Sequence, residues 1–94
     1  MPTLEVNFTT RFLRAAKKLS RSDCAKVQEA IDATAAAWGH PHAHAGVGIR
    51  RLRANAFECR AGLHLRLIFF AQPGSLTFYA LGNHDEIQNL LKLL

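Results

Sequence analysis

Two short stretches of this chain carry side chains that could grip a phosphate and move a proton. Glu58 and Arg60 stand two residues apart, as do His64 and Arg66. Residues two apart share a face in an extended strand. Over residues 63–70 that alternation sends Leu63, Leu65, Leu67 and Phe69 to one side, and His64, Arg66, Ile68 and Phe70 to the other. If the turn at Ala61–Gly62 preserves the pairing, Glu58, Arg60, His64 and Arg66 converge. A guanidinium can hold a phosphate with two parallel hydrogen bonds. An imidazole titrates near neutrality, so His84 is a candidate to give or take a proton.

Each of these residues also has a plainer reading. Arg66 could pair with Glu58 on an open sheet face. Glu58 could serve as a general base or simply bridge to Arg60 or Arg66. His84 could stand exposed ahead of a helix that Asp85 caps. Arg50, Arg51 and Arg53 form a basic cluster on or beside a strand; they could touch nucleic-acid phosphates, or they could be a solvated edge that resists aggregation. His40, His42 and His44 would point one way only in an extended segment, and no carboxylate or cysteine lies close in sequence to complete a metal shell. They read as loop residues, with no metal or other cofactor expected.

The elements that must position these groups follow from periodicity. Residues 3–8 alternate as a short strand. Thr9 or Thr10 then caps a helix carrying Phe8, Phe12, Ala16 and Leu19 at helical spacing, with Arg11, Arg14, Lys17 and Lys18 directed elsewhere. Ser20 or Ser22 caps a second helix, marked by Cys24, Val27, Ile31, Ala35 and Trp38, which ends at Gly39. Residues 39–48 read as a loop. Strands follow over 49–53 and 57–60, joined by a kink at 54–56, then over 63–71 and 76–81, with a turn at Gln72-Pro-Gly-Ser75. Ile87, Leu90, Leu91 and Leu94 share one face of a short terminal helix. The order β-α-α-β-β-β-α predicts an α+β domain with a helical hairpin on one face of an antiparallel sheet.

Composition narrows the classes. The 94 residues suit one domain, 49% are hydrophobic and 20% charged, so the chain is globular rather than disordered. Twelve Lys/Arg against seven Asp/Glu give a formal charge of +5, which favours a polyanionic partner. The start lacks a signal-peptide pattern and no apolar run is long enough to span a membrane, so a cytoplasmic protein is expected, with no membrane partner. The two cysteines, Cys24 and Cys59, read as small buried thiols.

Several segments together resemble the RelE/ParE family of bacterial toxin–antitoxin modules. They are Phe12–Leu19 (FLRAAKKL), Arg51–Arg53, Glu58–Arg60, Leu65–Phe69 (LRLIF) and Leu81–Glu86 (LGNHDE), in that order. The resemblance implies a toxin that cleaves messenger RNA at the ribosome without metal, by attack of the 2′-OH. Arg66 matches the family's sheet arginine and His84 the position of a catalytic histidine, with Arg60 and Glu58 beside them. Arg50, Arg51, Arg53 and His64 would contact RNA. The resemblance also implies a cognate antitoxin that wraps the toxin, covers its basic surface and alone brings it to operator DNA. A departure is Asp85, where ribonuclease members often carry an aromatic residue. Two alternatives remain open: a ParE-type poison of DNA gyrase, and a non-catalytic interaction module.

Overall fold

A computed structural model describes residues 4–40 and 46–93. The described residues form β1 (Glu5–Phe8), α1 (Thr10–Lys17), α2 (Arg21–Ala37), β2 (Arg50–Arg53), β3 (Ala56–Ala61), β4 (Leu65–Gln72), β5 (Ser75–Asn83) and α3 (His84–Leu91). The five strands make one sheet in the order β1-β5-β4-β3-β2. All pairings are antiparallel except β1 with β5, which is parallel. The predicted α+β order therefore holds, with one parallel edge that alternation alone does not reveal.

Local chemistry sets the helix starts. The Thr9 side chain accepts from the Phe12 N–H at 3.1 Å, satisfying one of the free donors of α1. Its hydroxyl also donates to the Tyr79 carbonyl at 2.6 Å, so the same residue ties α1 to β5. Ser20 does the capping for α2 by accepting from the Asp23 N–H. Gly39 follows α2 with φ +88°, where a side chain would be strained. Residues 46 and 47 have helical backbone rather than the loop expected through residue 48. His42 and His44 lie outside the described residues.

The main core sits between the helical hairpin and the sheet. Phe12, Val27, Ile31, Cys59, Leu67, Phe69, Leu76 and Phe78 are all buried there. A run of rings crosses it: Trp38 meets Phe57 and Phe69 edge-on at 4.9 and 5.5 Å, Phe57 stacks on Phe69 at 5.6 Å, and Phe69 meets Phe78 at 5.2 Å. The opposite face has a smaller core in which Ile68 and Ala80 are covered by Ile87 of α3. Ile68 is thus used by the terminal helix. Cys24 corrects the expectation of two buried thiols: it is exposed, while Cys59 is buried.

The strand bounds shift by a residue or two from those expected. Leu63 and His64 lie in the turn before β4, and Leu63 is 92% exposed instead of facing the hairpin. The register of β4 with β5 slips between Ile68 and Phe69, leaving Tyr79 as an extra residue on β5. The proposed kink at 54–56 is a full reversal, with Ala54 at φ +41° between β2 and β3.

Phe69 is fully buried and touches three other rings. Phe69→Ala is expected to cost about 4 kcal/mol, the usual range for an emptied aromatic core site. Urea unfolding followed by circular dichroism checks this. A loss below about 1 kcal/mol would show that the ring cluster does not carry the main core.

Candidate functional site

Parity along the strands decides which side chains meet. Directly paired residues in an antiparallel sheet lie on the same face. Arg50 is opposite Glu58, Glu58 opposite Ile68, Arg60 opposite Arg66, and Arg66 opposite Gly82. Arg50, Glu58, Arg60 and Arg66 therefore share the face that carries α3, while Phe57, Cys59, Leu67 and Phe69 turn towards the hairpin.

Glu58 is the hinge of this group. It is only 3% exposed, and each carboxylate oxygen is engaged: Oε2 accepts from Arg50 Nη2 at 2.8 Å, and Oε1 accepts from Arg66 Nη1 at 3.2 Å. A carboxylate this deep is tolerable only when paired and hydrogen-bonded, and here both conditions are met. The Arg66 side chain is 20% exposed and that of Arg50 66%, so the bridge reaches from the interior to water. Arg60 is exposed and has no carboxylate partner among the described residues. Three guanidiniums against one carboxylate leave the cluster net positive.

The same carboxylate acts on its chain neighbour. Burial, first of all, pushes the Cys59 thiol up to about 11; the Glu58 charge adds to this, and the Thr34 hydroxyl opposes it. Cys59 is therefore a protonated, inert core thiol at neutral pH.

His84 is the first residue of α3 and is exposed. Asn83, not Asp85, caps this helix: its side chain accepts from the Glu86 N–H at 2.8 Å, and the Glu86 carboxylate accepts from the Asn83 N–H at 2.9 Å. Asp85 and Glu86 sit in the first turn, where negative charge suits the helix dipole. Gly82 lies across from Arg66, so His84 follows two residues beyond the arginine's partner, at the corner where β5 becomes α3. His64 is exposed in the turn leading into β4, at this same end of the sheet because Leu65 pairs with Asn83. It is not on the strand face with Arg66 as the alternation predicted, because β4 begins only at Leu65.

The three β2 arginines do not form one patch. Arg50 joins the Glu58 bridge. Arg51 pairs with Phe57, leaves the strand on the other side, and donates to the Ala54 carbonyl at 2.9 Å. Arg53 lies beyond a register irregularity, opposite Ala56. All three are exposed.

Two features escaped the sequence reading. The Asn-x-x-Glu spacing of residues 83–86 is a capping-box pattern, with Asn83 rather than Asp85 as the cap. The Tyr79 bulge leaves no pattern: Tyr79 meets Phe70 edge-on at 5.5 Å and carries the Arg11 guanidinium 5.6 Å from its ring centre. Among the described residues no group of three His, Cys, Asp or Glu could hold a metal ion.

The architecture is RelE-like. RelE of the archaeal RelE–RelB complex from Pyrococcus horikoshii OT3 matches it with a TM-score of 0.70, covering 88% of this chain and 96% of that one at 15% identity. The RelB–RelE antitoxin–toxin complex from Methanococcus jannaschii gives 0.68, with 89% and 96% covered at 12% identity. The isolated E. coli RelE toxin gives 0.67, with 98% and 100% covered at 10% identity. No family model and no curated protein matches the sequence.

Two outcomes test this geometry. Glu58→Gln is expected to cost about 2–3 kcal/mol in urea unfolding, since it strips the charge that a deep ion pair needs; Arg50→Ala, at the solvated end, should cost under about 1 kcal/mol. Equal losses would place the energy elsewhere. With a thiol reagent at pH 7.5, Cys24 should react in the native protein and Cys59 only after unfolding; modification of both in the folded state would contradict the sealed Cys59 site.

Proposed function

We propose that this chain is the toxin of a toxin–antitoxin pair and an endoribonuclease that cuts messenger RNA on the ribosome. The observation that carries the reading is the arginine face around Glu58, with an imidazole at its corner. The RelE-like architecture and the formal charge of +5 support it.

In this reading Arg66 and Arg60 hold the non-bridging oxygens of one phosphodiester and stabilise the charge that builds on phosphorus. The 2′-oxygen of the preceding ribose bonds to phosphorus as the bond to the 5′-oxygen breaks, leaving a cyclic phosphate and a free 5′-OH. One proton leaves the 2′-OH and one reaches the 5′-oxygen, so the step balances without metal. His84 is the group at the corner able to hold or release such a proton. Glu58, with both oxygens engaged, fixes the direction of Arg66. Arg50, Arg51, Arg53 and His64 supply sequence-blind contacts to messenger and ribosomal phosphates.

The partner is an antitoxin whose unfolded segment covers this basic face, as the complexes with RelB suggest; operator DNA is reached only through it. The site of action is the cytoplasm. A gyrase-poisoning toxin is the second reading. Asp85, where a stacking ring would help grip a base, and the tie of Arg66 to Glu58 both favour it.

Primer extension on cellular transcripts after induction separates the two. New ends inside coding sequences are expected with the native chain, falling at least about tenfold in both His84→Ala and Arg66→Ala. His84 is exposed, so its loss leaves the fold intact. Arrest of DNA synthesis with no new transcript ends would replace the ribonuclease reading with the gyrase one.

A further inference from the structure

Gly82 is buried near the end of β5, yet its φ lies outside the left-handed region that favours glycine. Its reason is space. A Cβ built there would stand 3.0 Å from the Glu86 Cβ and 3.3 Å from Glu86 Oε1. The Glu86 Cβ is carried by the helix backbone and cannot swing aside, so α3 itself would have to give by a few tenths of an ångström. The Glu86 carboxylate that fills this space is the one that accepts from the Asn83 N–H. The bare backbone of Gly82 and the Glu86 side chain thus close the corner from both sides, with His84 between them in sequence and Arg66 directly across the strand.

We propose that Gly82 and Glu86 form a latch that fixes the first turn of α3 and aims the His84 imidazole at the phosphate held by Arg66. Both are positioning residues; neither touches the reacting atoms. This rests on the ribonuclease reading of the same site. Misplacement of an acid–base group by about an ångström is enough to cost a large factor in rate while leaving substrate binding in place.

The test is a double-variant cycle on ribosome-bound messenger cleaved in vitro. Gly82→Ala and Glu86→Ala are each expected to lower kcat about tenfold with KM held within about twofold. Glu86→Gln, whose amide oxygen can still accept from Asn83, should recover most of the loss. The double variant Gly82→Ala/Glu86→Ala should be little worse than either single one, because one latch is broken twice. Asn89→Ala, on the exposed side of the same helix, is the control and should leave kcat unchanged. The His84 ring resonances and amide exchange at Glu86 are read in parallel, with shifts expected in the latch variants and none in Asn89→Ala. Unchanged kcat in Gly82→Ala and Glu86→Ala, or fully additive losses, overturns the proposal. If the native chain cleaves nothing, the ribonuclease reading falls; unmoved His84 resonances in Gly82→Ala would then overturn the latch independently.

Discussion

A carboxylate held between two guanidiniums ties three strands of the sheet together. Glu58 lies on the central part of β3 with its oxygens turned to Arg50 on one neighbouring strand and Arg66 on the other. Leaving such a charge unpaired in a low-dielectric setting costs several kcal/mol, so Glu58 needs its deeper partner Arg66, with Arg50 closing the bridge at the solvated end. That demand fixes the register of β2 on β3 and of β3 on β4 at one point. It also sets the electrostatics of the face. Arg60 stands directly across from Arg66, and like charges so placed repel. Glu58 relieves Arg66 but not Arg60, which leaves a cationic surface suited to an anion.

The two faces of the sheet are built to different ends from the same strands. Towards the hairpin, alternate residues are large and apolar, and the stack from Trp38 through Phe57 and Phe69 to Phe78 fills the gap with rings. On the other face Ile68 and Ala80 are fully covered and pack with Ile87 of α3. The short α3 shields one part of that face and leaves Arg50 and Arg60 to solvent. Phe70 and Tyr79 are half-buried beside it. Thr9, by capping α1 and donating to the Tyr79 carbonyl, pins the bulged part of β5 to the hairpin.

The architecture was readable because strand and helix periods are strong signals in this chain. The Leu65–Phe69 alternation, the caps at Thr9 and Ser20 and the Pro73–Gly74 turn each act locally, and local signals survive without knowledge of the fold. Arg66 and Glu58 were legible as neighbours by the same parity, and an ion pair between them was one of the readings it allowed. What failed were properties of strand ends and of long-range placement. His64 fell outside β4 because nothing in Gly62–His64 tells an observer where pairing begins. Arg51 parted from Arg50 because adjacent residues in a strand must diverge, a rule that a cluster counted along the sequence ignores. The parallel pairing of β1 with β5 depends on partners some seventy residues away in the chain, and the Tyr79 bulge on a slip against Ile68 and Phe69 of β4 that no local pattern marks.

Register is where core and site become one problem. A slip of β4 by a single residue would turn Arg66 and Ile68 towards the ring-filled core and Leu67 and Phe69 towards the α3 face. Hydrophobic burial by itself opposes this only weakly over the middle of the strand, where Leu67, Ile68 and Phe69 are all fully buried. The polar groups decide it. Arg66 finds a carboxylate only in the native register, and the β5 residue facing it is the one whose missing side chain admits Glu86. The charged face is therefore part of what selects the fold, and a substitution that blunts its chemistry also loosens the alignment of the core beneath it.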